Sequence, residues 1–147
     1  MSETREAEQR SGVAGVHPVG LVDWRMIEGK GRGVVALHAC AAGTELERSP
    51  VIPVPDEDLL ERTDGMTVFD QYLLLWDEKP GRTVAMGSGM LMIYNHSANP
   101  NVEFQTGPEP ETMSVFALRD IAAGEELTYD YDVPLWFVPV AGRHAQQ

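Results

Sequence analysis

Cysteine is nearly absent. Cys40 is the only one in 147 residues, which excludes an intrachain disulfide and any zinc cluster built on several thiolates. Basic residues are scarce too: 11 Lys and Arg stand against 23 Asp and Glu, a formal net charge of −12. Such a surface repels phosphate backbones and anionic bilayers, so neither nucleic acid nor membrane is an expected direct partner. It attracts a Lys/Arg-rich protein, and it also serves plain solubility. No apolar run reaches the roughly 20 residues that span a bilayer. The start "MSETREAEQRSG" lacks the apolar centre of a signal peptide, so a cytoplasmic chain is the expectation. His17, His38, His96 and His144 are scattered without metal-ligand spacing, so no metal site is expected. Neither G-x-S-x-G nor H-E-x-x-H occurs, and Cys40 sits in a turn with no evident activating group, which reads as structural.

What is present describes one small all-β domain. The chain has 14 Gly and 10 Pro, and frequent turns favour short strands over long helices. Residues 1–16 read as a disordered polar tail. "VGLVDWRMI" (Val19–Ile27) and "VVALHA" (Val34–Ala39) read as strands around a glycine turn, "EGKGRG". "TELERSPVIPVP" is extended but limited by its prolines. "PDEDLLERT" predicts a short helix, and "FDQYLLLW" fits helix or strand. "NVEFQT" and "TMSVFALRD" predict a hairpin across "GPEPE", and "IAAGEELTYDY" turns into a last strand. "ALHACAAGTEL" (Ala36–Leu46) is echoed by "ALRDIAAGEEL" (Ala117–Leu127) at a constant offset. Both copies predict strand, turn, strand, with Gly43 and Gly124 supplying a positive φ. Two such units favour small sheets over one long sheet.

Three stretches carry candidate chemistry. "KGRG" (Lys30–Gly33) fits a hairpin turn, or a backbone that approaches a ligand closely; it lacks the third glycine of a dinucleotide site and the Lys-Ser/Thr of a phosphate loop. "NHSANPN" (Asn95–Asn101) is open to three readings: a hydrogen-bonded turn, an N-x-S glycosylation acceptor, or a binding site in a tight bend. The polar N-terminus disfavours the second. The apolar run "GMLMIY" before it predicts a buried turn, whose amides need partners in the protein or in a bound polar molecule. In "EELTYDY", alternation puts Tyr129 and Tyr131 on one face, where two phenols could orient an amine or simply fill the core.

The order "GRG", "NHSxNPN", "GEELTYDY" resembles the SET domain of protein lysine methyltransferases, from about Leu21 to Trp136. It is most similar to the minimal bacterial and viral members, in which Y-L-F and A-x-G-x-G motifs precede "NHS", as Tyr72-Leu73-Leu74 and Ala85-Met86-Gly87-Ser88-Gly89 do here. The resemblance implies a SET domain at residues 17–138 and a C-terminal tail at 139–147. It implies a β-clip-like body of small sheets whose last segment is tucked into a pseudoknot near "NHS". It implies S-adenosylmethionine as cofactor, held by the backbone of Lys30, Gly31, Arg32 and Gly33, by the Asn95 amide, by the His96 backbone at the adenine and by stacking of Trp136. It gives Tyr131 the place beside the reacting nitrogen, and Tyr129 the position that limits how many methyl groups fit.

Two departures stand out. Ala98 replaces the Cys of "NHSC", and "RSPVIP" (Arg48–Pro53) replaces the early "EYxGE", so that Tyr72 is the substitute substrate-side phenol. The expected substrate is a basic protein, mono- or dimethylated. A small-molecule amine as acceptor and a non-catalytic binding module are the rival readings. The apolar stretch Val133–Val140 fits a cofactor lid or a homodimer interface.

Overall fold

The computed structural model describes residues 15–55, 72–79 and 82–130. Among them are nine strands and no helix. β1 (Val22–Ile27), β2 (Gly31–Ala36), β9 (Glu126–Tyr129) and β6 (Asn95–His96) form one sheet in the order β1-β2-β9-β6. β4 (Leu74–Lys79), β5 (Arg82–Gly87), β3 (Glu45–Val54), β8 (Thr112–Ala117) and β7 (Val102–Thr106) form the other, in the order β4-β5-β3-β8-β7. The core between them is built from Val34, Leu46, Leu91, Val102, Val115 and Leu127, each buried. The all-β expectation holds.

Several boundaries move. "GRG" belongs to β2, not to the turn before it: Gly31, Arg32 and Gly33 pair with Ile27, Met26 and Arg25 of β1. The turn itself is Glu28–Lys30, closed by Lys30 N–H donating to Ile27 C=O at 2.9 Å. β2 also stops at Ala36, short of Ala39. β3 runs through both prolines because it changes partners there. Glu45–Pro50 pairs with β8 and Val51–Val54 with β5, so the missing N–H of each proline is lost along a strand that needs only one partner at a time. "FDQYLLLW" resolves toward strand, since Leu74–Trp76 open β4. The expected helix at 56–63 lies outside the described residues. The β7–β8 hairpin forms as expected, with Phe104 opposite Val115.

The two echoed units pair with each other. Gly43 N–H donates to Ala117 C=O at 2.8 Å, and Gly124 N–H donates to Ala36 C=O at 2.7 Å. Between them Cys40 and Ile121 exchange both backbone hydrogen bonds at 2.9 Å. Every bond has its counterpart at the same offset, so the repeat is a local pseudo-twofold. Gly43 (φ 87°) and Gly124 (φ 83°) occupy the left-handed region that the turn demands. This clasp fixes where β9 begins.

β9 is then inserted between two partners. It runs antiparallel to β2, with Val34 opposite Leu127, and parallel to β6, with Asn95 opposite Thr128 and His96 opposite Tyr129. Asn101 locks the insertion: its Oδ1 accepts from Thr128 N–H at 2.8 Å and its Nδ2 donates to Glu126 C=O at 2.8 Å. The last strand is thus held on both edges beside "NHS", where the resemblance puts the knot.

Candidate active site

Insertion of β9 brings "GRG", "NHS" and "ELTY" to one place. Asn95 is wholly buried. Its Nδ2 donates to Arg32 C=O at 3.1 Å and to Glu126 Oε2 at 2.7 Å. Both partners are acceptors, so the orientation of the amide is decided by its hydrogen bonds. Oδ1 must face the other way, and there it has no hydrogen-bond partner among the described residues. Glu126 also accepts from Lys30 Nζ, through Oε1 at 2.7 Å. Space, and not φ, demands a glycine at position 33: a Cβ there would come within 2.7 Å of Glu126 Oε2 and Ile27 Cγ1, and 3.0 Å of Asn95 Nδ2. At Gly31, φ is 92°, which lets β2 leave the turn.

These contacts answer which reading of "NHSANPN" applies. It is a hydrogen-bonded turn, with Ser97 Oγ accepting from Asn99 N–H at 3.0 Å. It is also a buried amide with one acceptor unused. A side chain so enclosed leaves no room for a glycan. The arrangement fits the amino-acid end of S-adenosylmethionine: the α-ammonium suits Oδ1, and a glycine-lined backbone lies against the same amide. His96 is half-buried, with Nδ1 at 3.9 Å from the Asp130 carboxylate, and its backbone is engaged by β9.

Beyond Asn95 the site is aromatic. The Tyr129 ring stacks on Phe104, with centroids 4.0 Å apart and planes 8° from parallel. Tyr94 meets both edge-on, at 5.2 Å from Phe104 and 6.4 Å from Tyr129. Tyr94 is held by a buried carboxylate: Glu47 Oε1 accepts from its hydroxyl at 2.7 Å, and Glu47 Oε2 accepts from Ser49 Oγ and Met90 N–H, each at 2.8 Å. Burial pushes the Tyr129 phenol well above its ordinary value. Burial, with the Glu47 charge second, does the same to Tyr94. Both phenols therefore stay protonated at neutral pH. Tyr72 meets the site through Arg32, whose guanidinium lies 3.5 Å from its hydroxyl. At the "EYxGE" departure, Arg48 is buried and paired with Glu45 and Glu109 at 2.8 and 3.0 Å.

The structure thus gathers Lys30, Arg32, Gly33 and Asn95 directly, with His96 and Tyr129 on the adjoining strands. Tyr131, Trp136 and the Val133–Val140 stretch lie outside the described residues. Sequence reasoning passed over Glu126, Glu47, Tyr94 and Phe104. Glu126 stands in the quoted "EELTYDY" but resembles any surface acid. Phe104 could have been found from alternation in β7, which puts it on the same face as buried Val102.

The sequence profile of the SET domain matches residues 31–132. The chain belongs to the SET domain family, a class of S-adenosylmethionine-dependent lysine N-methyltransferases. It is 37% identical over 114 residues to the Schizosaccharomyces pombe histone-lysine N-methyltransferase specific for lysine 37 of histone H3, covering 77% of this chain and 74% of that protein. It is 32% identical over 109 residues to the Saccharomyces cerevisiae histone-lysine N-methyltransferase specific for lysine 4 of histone H3. That match covers 67% of this chain but only 10% of the yeast protein. These relatives are yeast proteins, whereas the motif pattern pointed to bacterial and viral members. Among solved structures, a Plasmodium falciparum protein described as a histone methyltransferase shares the fold with a TM-score of 0.61 at 20% identity, over 82% of this chain and all of that one. Arabidopsis thaliana SUVH6, solved in complex with S-adenosylmethionine, has a TM-score of 0.61 at 22% identity, over 80% of this chain and 30% of that one.

Proposed function

We propose that the chain methylates lysine side chains of a Lys/Arg-rich, histone-like protein and stops at mono- or dimethyl-lysine. The observation that carries this reading is the buried Asn95 amide. Its free acceptor lies against the glycine strand, on β6, which runs beside the end of β9 that bears Tyr129. When bound, S-adenosylmethionine supplies an electrophilic methyl group on a positively charged sulfur.

The chain's own residues bind, align and desolvate. Lys30 to Gly33 and Asn95 hold the cofactor's amino-acid end, and the His96 backbone meets its adenine. The cluster of Tyr94, Phe104 and Tyr129 offers a low-polarity wall to the incoming lysine. Desolvation there lowers an amine pKa from about 10.4, so that the nitrogen can lose its proton before attack. Fixed rings contribute alignment, which supplies much of the rate in a simple displacement. Tyr131 orients the neutral amine, Tyr72 lines the substrate side, and Trp136 stacks over the adenine. The net charge of −12 draws a cationic protein toward the site. The relatives named for histone lysines support that substrate class.

The test is incubation with methyl-labelled S-adenosylmethionine and a panel of histones and other basic proteins. Product lysines are read by mass spectrometry. Mono- or dimethyl-lysine on a basic protein supports the reading. Label on small amines alone, or tight cofactor binding without turnover on any protein, defeats it.

A further inference from the structure

Glu126 has no ligand-binding role in the reading above, yet it is the residue on which the Asn95 geometry depends. Its two oxygens divide their work. Oε1 accepts from Lys30 Nζ at 2.7 Å and Oε2 from Asn95 Nδ2 at 2.7 Å. Its side chain is 17% exposed and that of Lys30 is 27% exposed, so the pair is shielded but not sealed.

An amide that donates both hydrogens to fixed acceptors cannot turn over. If one acceptor is lost, the orientation with the oxygen inward becomes competitive. Oδ1 would then be withdrawn from the side on which it has no partner. The carboxylate also adds negative charge beside that acceptor, and Lys30 balances it.

Resting on the proposed cofactor site, we infer that Glu126 is a positioning residue for the cofactor's α-ammonium group. It locks the Asn95 acceptor outward from β9, and Lys30 acts as its counter-cation. Glu126 thereby selects ligands that carry the amino-acid end and is indifferent to their adenosine part.

Two ligands separate these contributions. S-adenosylhomocysteine carries the adenosine and the amino-acid end, whereas 5′-methylthioadenosine carries the adenosine alone. Calorimetry with the full chain should show that Glu126→Met, which keeps the volume and removes both acceptors, weakens S-adenosylhomocysteine by about 10- to 100-fold. Affinity for 5′-methylthioadenosine should stay within about twofold. Glu126→Gln keeps one acceptor oxygen and should fall between wild type and Glu126→Met. It also carries the test if the methionine variant does not fold. A purely structural Glu126 would weaken both ligands in parallel, along with the thermal midpoint of the unliganded chain, and that result overturns the inference. So does unchanged affinity for both. A wild type that binds neither ligand instead refutes the cofactor site itself.

Discussion

Replacing Tyr129 with Phe removes one hydroxyl and leaves the ring in place. The ring's neighbours, Phe104 at 4.0 Å and Tyr94 at 6.4 Å, do not depend on that oxygen for their packing. Loss of a hydroxyl's hydrogen bonding costs about 0.5–1.5 kcal/mol, whereas truncating the whole ring would cost about 3–5 kcal/mol. The variant should therefore fold and bind cofactor. What changes is room. In a close-fitting pocket, space for one more methylene is worth about 1–3 kcal/mol, or roughly 10–200-fold in transfer rate. The stacked Phe104 blocks retreat of the Tyr129 ring, so the space opens on the lysine side. Tyr129→Phe should accelerate transfer to an already methylated lysine by that factor and keep the first transfer close to wild type. Time courses on unmodified and monomethylated peptides, resolved by mass spectrometry, give both rates. Trimethyl-lysine from the wild type would refute the reasoning. So would an inactive Tyr129→Phe beside an active Tyr131→Phe, which would mean that the two tyrosine roles are exchanged.

Glu47→Ala removes the acceptor of Tyr94, Ser49 and Met90 at once, and should destabilise the fold by about 2–5 kcal/mol in urea titrations; a loss below about 1 kcal/mol would show that these donors find other partners. Gly124→Ala places a side chain at φ 83° with no atom within 4 Å of its Cβ, so the cost should be backbone strain alone, about 1–2 kcal/mol. Gly43→Ala at φ 87° should cost the same, and unequal thermal shifts would contradict the equivalence of the two units. Arg119, and then the Ala122 N–H, hold the Glu125 carboxyl below its ordinary value. Its stabilisation is therefore complete above the unfolded value of about 4.3 and is lost as pH falls through the lower folded value. Glu125→Gln should shrink the difference in thermal midpoint between about pH 6 and about pH 3, and an unchanged difference would rule that contribution out.

The sequence by itself determined the local geometry. Turn glycines at Gly43 and Gly124, the β7–β8 hairpin, the all-β class and the repeated unit follow from chain chemistry within a few residues. The order of "GRG", "NHS" and "ELTYDY" also sufficed to name the family and the Asn95 and Tyr129 positions. Only the tertiary structure decided how these pieces meet. Nothing local indicates that the two repeated units clasp each other, since either could have paired with any open edge. Nothing local shows that β3 passes through its prolines, because that depends on a change of partner strand. The parallel pairing of β6 with β9 has no turn to announce it, and its register is set by Asn101 and the clasp. The site is still less local: Lys30 and Glu126 are 96 residues apart in the chain, and Asn95 is 63 residues from Arg32. A carboxylate becomes an orienting group, and a phenylalanine a backing for a tyrosine, only when burial removes water and leaves one partner within reach.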